Sequence, residues 1–435
     1  MFELIWRSRA AKYVELLGIA LPFLVVLFYI YVESWTLAYS YFSARGTFAT
    51  FTAPEQFDAF FTNLRGGTGY WPIYGFFAAT VLINFAIMRR GISAGIEKFA
   101  KVALPVLFVL AIVLVIRVLT LGAPLPDRPE QSVWSGFAFL WNPDLSKLAQ
   151  VKIWLAATGQ VFFTLSVGFG VIACYASYLR KNDDIVLSGL TTSATNEFAE
   201  VILGASLAIP LAFAFLGGDA IRRIAQESFA LAFVTLPMVF LELPMGQLLS
   251  TLWFILLFFA GVTSSIALAQ TAIAFMEDEF GWSRTKSAAA IWLAIFAGAN
   301  LVIFGKGAMD ELFFWAGTLG IVVFALLEVV LFVWVFGRFR AWSEINSGAD
   351  IRLPKAVYYV ITYVTPVYLA GLLIAWLIQD GRAAALMTNV SPDEVAWRWS
   401  ARGLMLIVVG GLVYLIRKSR RLKADEMGGV ESSNG

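Results

Sequence analysis

Ten apolar stretches, each long enough to cross a lipid bilayer, take up most of this 435-residue chain. They run over approximately 14–41, 71–88, 102–122, 153–179, 185–215, 240–275, 287–304, 312–337, 356–378 and 395–416. A helix rises about 1.5 Å per residue, so roughly 20 apolar residues cover about 30 Å of hydrocarbon. Each stretch therefore reads as a transmembrane helix, and the longest, 240–275, is expected to tilt or bend. Composition agrees: 60% of residues are hydrophobic, 14% are charged and the mean hydropathy is +0.77, too little polar residue to clothe a water-facing surface. The expected fold class is an all-α polytopic membrane protein.

Charge and residue usage narrow the chemistry. The 32 Lys and Arg nearly cancel the 30 Asp and Glu, so the net charge of +2 provides no general field for nucleic acid, and no such partner is expected. Histidine is absent and Cys174 is the single cysteine. That removes imidazole bases, His-dependent nucleophile systems, HExxH metal sites and internal disulfides, and an enzyme is not expected. With the N-terminus inside, 20 of the 32 basic residues fall on the cytoplasmic side, among them Arg7, Arg9, Lys12, Arg180 and Lys181. Both termini are thus expected in the cytoplasm and the chain in the plasma (inner) membrane. The segment Lys423–Gly435 reads as a polar, disordered tail, and the apolar run Ser228–Met238 as a lid folding back from an outside loop.

Four places carry polar groups at membrane depth. The run Gln160-Val-Phe-Phe163-Thr164-Leu-Ser166-Val-Gly168-Phe169-Gly170 puts two glycines, a threonine and a serine mid-stretch, which points to an unwound turn or to a small-residue packing face. Asn196 and Glu200 lie one helical turn apart in the fifth stretch, as a functional pair or as end residues reaching for water. Ala260-Gly261-Val262-Thr263-Ser264-Ser265 places three consecutive hydroxyls in the sixth, hard oxygen donors suited to a small cation unless each bonds back to its own helix. Tyr29 and Glu33 share a face of the first stretch with Val25, whereas Tyr39 and Tyr41 fit an interfacial aromatic belt.

With these residues the sequence resembles the neurotransmitter:sodium symporter family, specifically its bacterial amino-acid transporters. The matching strings are YIYVESW, GIEKFAKVALP, GQVFFTLSVGFG, YASYLRKNDDIVLSGL, TNEFAEVILG, FFAGVTSSIA, AFMEDEFGWSR and FWAGTLG, in the family's order, within a match from about Phe2 to about Gln379. The resemblance implies an inverted-repeat transporter fold: a single transmembrane domain over 1–422, comprising a partial first repeat (1–122), a second repeat (153–337) and two extra helices (356–416), before the cytoplasmic tail 423–435. It implies an amino-acid pocket of Val25, Tyr29, Phe163, Ser166, Phe169, Ser264 and Leu268, with Tyr29 on the substrate carboxylate and Phe163 as roof. Thr164 and Asn196 would serve one sodium ion; the carbonyl of Ala260 with Thr263 and Ser264 would serve a second. Glu200 stands where chloride-dependent members carry serine, which implies chloride independence, with Gln160 nearby and proton exchange as a coupled step. Tyr178 and Asp278 match inner-gate residues.

Departures accompany the match. The family has twelve helices, and the first of the ten here corresponds to its third, so the chain reads as an N-terminally incomplete form. Phe313 stands where the family usually has an outer-gate carboxylate, with Asp310 and Glu311 as nearby substitutes. The expected function is sodium-coupled symport of a neutral, hydrophobic amino acid by alternating access. The alternative is a non-transporting sensor or subunit that keeps the fold. Sodium, the amino acid and the bilayer are the implied partners, and a homodimer is left open.

Overall fold

The structure, a computed structural model, describes residues 5–6, 8, 11–66, 70–180, 182–224 and 229–433. The expectations placed on Arg7, Arg9, Lys181 and Ser228 concern residues outside that set. Every regular element among the described residues is helical. Eight helices are long and apolar enough to cross a membrane: Ala11–Ala44, Ile92–Leu119, Ile185–Leu216, Gly246–Phe280, Arg284–Phe304, Ala308–Val335, Lys355–Leu386 and Pro392–Lys423. They coincide with eight of the ten apolar stretches. The stretch 71–88 forms a shorter apolar helix, Pro72–Met88, and 153–179 is divided into Val151–Thr164 and Val171–Ala176.

The chain separates into two compact units built from interleaved stretches. The first comprises Met1–Phe28, Lys147–Thr192 and Ile266–Gly435; the second comprises Tyr29–Ser146 and Ser193–Ser265. In the first unit, Leu16, Ala20, Phe275, Met276 and Ile416 form one buried apolar cluster. A polar lock holds the last long helix to the short helix Ala308–Leu312: Glu311, 4% exposed, accepts from Arg402 at 2.6 Å and from Arg398 at 3.3 Å. Glu311 is thereby committed to these two arginines and to the Trp315 indole, which donates at 2.7 Å. The last helix continues to Ser433, which corrects the expectation of a disordered tail beyond Lys423; the Lys-Ala-Asp-Glu-Met run there is made largely of good helix formers, which extends the helix.

The second unit is organised by aromatic rings. Trp35 packs edge-on to Phe61, Phe229 and Phe233, while Tyr39 contacts Phe48, Phe233 and Phe254 at 4.8–5.1 Å. Tyr39 is fully buried and therefore belongs to the core and not to an interfacial belt, whereas Tyr41 is exposed. A ring is worth more packed against several other aromatics than in a headgroup layer. The described part of the expected lid likewise forms a short helix, Leu231–Leu241, whose Phe233 and Phe240 are buried.

Candidate functional site

The first unit holds the broken span. Helix Val151–Thr164 ends, the backbone turns through 165–170, and a new helix runs Val171–Ala176. Three residues of the turn have positive φ: Ser166 at 57°, Gly168 at 72° and Gly170 at 69°. Glycine is required at two of them on steric grounds as well. A Cβ on Gly168 would lie 2.2 Å from the Ile321 carbonyl oxygen, and one on Gly170 would lie 2.6 Å from the Gly18 backbone. Ser166 adopts a conformation costly for a residue with a side chain, a strain that concentrates at functional positions. The expected unwinding is thus present, and the small residues also allow close packing, so both sequence readings hold at once.

Aromatic rings flank the turn. Phe163 and Phe169 meet edge-to-face at 5.6 Å, Phe163 lies 5.9 Å from Phe313, and Phe313 lies 5.6 Å from Phe28. Phe169, Val25 and Leu268 are buried, while Phe163, Thr164 and Ser166 are half-buried. A cavity of about 730 Å³ is lined by Gln160, Phe163, Phe313, Gly317, Thr318 and Arg398. A second, of about 610 Å³, is lined by Lys12, Gly18, Gly170, Cys174, Asp278 and Glu328. Phe163, just before the turn, thus lines the first cavity, and Gly170, at its end, lines the second. Tyr178 accepts from Gln270 at 3.3 Å, and Gln270 in turn accepts from Arg284 at 2.7 Å; Asp278 is exposed at the second cavity.

The second unit holds the hydroxyl-bearing turn. Helix Gly246–Phe280 is unbroken through 260–265. There the Ala260 carbonyl accepts from Thr263 Oγ1 at 2.8 Å and from Ser264 Oγ at 3.2 Å, so in this structure these two hydroxyls bond back to their own helix, the alternative that the sequence also allowed. Tyr29 and Ser264 share a side-chain hydrogen bond. Asn196 ends helix Ile185–Glu197, and a π-helical stretch, Phe198–Ala205, carries Glu200. Such widened turns recur at functional sites because they re-aim side chains. Among the described residues no group of three or more His, Cys, Asp or Glu is placed to hold a metal. Hydroxyl and carbonyl oxygens are hard donors of the kind a small cation takes.

Sequence reasoning missed two groups. Glu328 accepts a hydrogen bond from the backbone of Gly168, the middle of the unwound turn. Asn84 donates to Glu33 at 2.8 Å. The signal for both was available: a lone carboxylate in the apolar stretch 312–337 and a lone amide in 71–88, each expensive at membrane depth unless employed.

The described residues thus form a helical, multi-pass chain with a broken span flanked by aromatic rings. The chain belongs to the Sodium:neurotransmitter symporter family, whose model matches residues 65–416. It is 29% identical to an uncharacterized sodium-dependent transporter of Methanocaldococcus jannaschii, over 80% of this chain and 71% of that one. It is 26% identical to a sodium-dependent nutrient amino acid transporter of Drosophila melanogaster, over 78% of this chain and 53% of that one. Among solved structures it is similar to MhsT in complex with L-phenylalanine, with a TM-score of 0.74, 26% identity, and 86% and 83% of the two chains covered. It is a multi-pass membrane protein for which sodium is the coupling ion and a small molecule the substrate.

Proposed function

We propose that the chain imports a neutral, hydrophobic amino acid with sodium, independently of chloride, by alternating access in the plasma (inner) membrane with both termini cytoplasmic. The observation that carries this reading is the unwound turn 165–170 in the middle of a span, a break tolerated at membrane depth only where protein or a solute, not lipid, meets the backbone. Val25, Tyr29, Phe163, Ser166, Phe169, Ser264 and Leu268 would enclose the amino acid, the aromatic members favouring an apolar side chain. Thr164 with Asn196, and Ala260 with Thr263 and Ser264, would take sodium. Glu200 supplies the fixed negative charge that makes an anion unnecessary, with Gln160 beside the same ion and Tyr178 and Asp278 at the inner gate. The two cavities of the first unit, one lined by Phe163 and the other by Gly170, would give a solute a place on either side of the turn. MhsT was solved with L-phenylalanine, which makes that amino acid the first to test.

The test is uptake of labelled phenylalanine and leucine into proteoliposomes under an inward sodium gradient, with chloride replaced by gluconate. Sodium-driven, chloride-indifferent accumulation is the expected result. Uptake that ignores sodium, or binding with no accumulation, would remove the symport reading and leave the sensor. Glu200→Ser should make uptake require chloride; a chloride-indifferent Glu200→Ser protein counts against the fixed-charge assignment.

A further inference from the structure

Glu33 is 2% exposed within a membrane-spanning helix, and the groups that hold it are neutral. Its Oε1 accepts from Asn84 Nδ2 at 2.8 Å, and Asn84 Oδ1 accepts from Ser265 Oγ at 2.8 Å. Asn84 is itself fixed by a second donation, to the Thr80 carbonyl at 3.0 Å, so its amide has a defined orientation. Oε2 of Glu33 is buried with no hydrogen-bond partner. The Glu33 stem also packs on Gly261: a Cβ there would lie 2.9 Å from Glu33 Cγ. Three helices, Leu17–Ala44, Tyr70–Met88 and Gly246–Phe280, are thus pinned within the second unit by one chain of side chains.

The far end of that chain is what makes it functional. Ser265 follows Thr263 and Ser264 directly, and Gly261 follows Ala260 directly, so the Glu33 side chain meets the candidate sodium turn at both ends, through Asn84 at Ser265 and by its stem at Gly261. Thr263 and Ser264 turn their hydroxyls to the Ala260 carbonyl, whereas Ser265 donates to Asn84 at 2.8 Å, with the Val262 carbonyl of its own helix at 3.2 Å. Rotating this helix about its axis would break the Ser265–Asn84 bond and drive residue 261 away from Glu33. We propose that Glu33 is a positioning residue that sets the rotation of the Ala260–Ser265 turn, and that position 33 needs the length and acceptor oxygen of its side chain, not a charge. The proposal rests on the reading of Ala260, Thr263 and Ser264 as sodium ligands. Its physical basis is general: groups one step behind a metal's ligands orient them, and a fully connected buried polar chain fixes a single arrangement.

The experiment uses the full chain, purified in detergent, with two readouts. Equilibrium binding of radiolabelled sodium reports the ion site. The rate at which a methanethiosulfonate reagent labels Ser264→Cys, in a Cys174→Ser background, reports the rotation of the turn without reference to sodium. Glu33→Gln keeps an acceptor oxygen at the same reach and should bind sodium and label at rates within about two-fold of the parent. Glu33→Ala should weaken sodium binding about ten-fold and shift labelling several-fold. Ser265→Ala, a milder change read from the other end of the chain, should do the same in kind, and the double variant should be no worse than Glu33→Ala alone. Thermal melting identifies any variant that fails to fold, in which case Ser265→Ala decides. Loss of sodium binding in Glu33→Gln equal to that in Glu33→Ala overturns the proposal, because charge is then what matters. A folded Glu33→Ala with unchanged binding and labelling overturns it as well. Should the parent and Thr263→Ala bind no sodium alike, the ion-site reading fails by itself, and the labelling rates alone pass or fail Glu33.

Discussion

Two turns at membrane depth carry polar groups, and they are built oppositely. At 165–170 the helix is abandoned: three positive φ angles turn the chain, and a carboxylate from elsewhere, Glu328, takes up the amide of Gly168. At 260–265 the helix is kept whole, and the polar groups are side-chain hydroxyls that bond to its own Ala260 carbonyl. The first solution makes backbone groups available but depends on glycine and on outside partners; the second keeps the helix continuous and presents hydroxyls beside the Ala260 carbonyl. Changes at the first should therefore cost folding, and changes at the second should cost ion binding while sparing stability.

The sharpest break of that contrast is at Gly168. Gly168→Ala adds a methyl 2.2 Å from the Ile321 carbonyl oxygen at a φ of +72°, so the loss should be at least about 3 kcal/mol, enough to abolish accumulation of folded protein. Gly189→Ala, at a helical glycine with nothing within 4 Å, should leave the melting temperature equal or higher. Equal melting temperatures for the two variants would dissolve the distinction.

Next in size is Glu328. Glu328→Ala leaves the Gly168 amide without its carboxylate at membrane depth, an expected cost of about 1–3 kcal/mol, whereas Glu328→Gln keeps an acceptor and should recover most of it. Paired thermal melts of the two variants read this directly. Thr263→Ala belongs to the other kind of turn. Because the hydroxyl bonds only within its own helix, stability should change by less than about 1 kcal/mol, while the sodium concentration for half-maximal uptake should rise roughly ten-fold. A large melting shift with unaltered sodium dependence would place Thr263 with the structural glycines instead.

The same contrast explains what could be read from residues alone. Apolar length located the spans, and Gly168 and Gly170 with Ser166 marked the break, since glycine and hydroxyl residues at mid-span are local features of the chain. Partners contributed by distant stretches were not legible. Glu328 lies 160 positions from Gly168, and Asn84 lies 51 from Glu33; no periodicity links them, only the packing of helices. Tyr39 shows the converse error, because an aromatic near a span's end is compatible with a belt until Phe48, Phe233 and Phe254 are seen around it. Glu311 could stand in for an outer-gate carboxylate on spacing, yet Arg398 and Arg402, some ninety residues on, already hold it.

The smallest expected effect tests whether a carboxylate on free amides matters less outside the membrane than Glu328 does within it. Asp184, half-buried just before helix Ile185–Glu197, accepts from the Leu187 amide at 2.8 Å and the Asp350 amide at 2.7 Å. The Leu187 amide foremost, with that of Asp350, holds its carboxyl below the ordinary carboxylate range. A group whose pKa is depressed on folding stabilises fully above its unfolded value, about 3.9, and that contribution is lost as pH falls through the folded value. The melting temperature should therefore carry an acid-side decline to which Asp184 contributes, and Asp184→Asn, which keeps one acceptor oxygen for two amides, should lower the neutral-pH value slightly and flatten that part of the decline, so that the two proteins converge at acid pH. Water competes for both amides there, which keeps the effect small. Melts of the two proteins between neutral pH and the acid limit of detergent stability make the comparison, and parallel curves would show that Asp184 adds nothing that water does not supply.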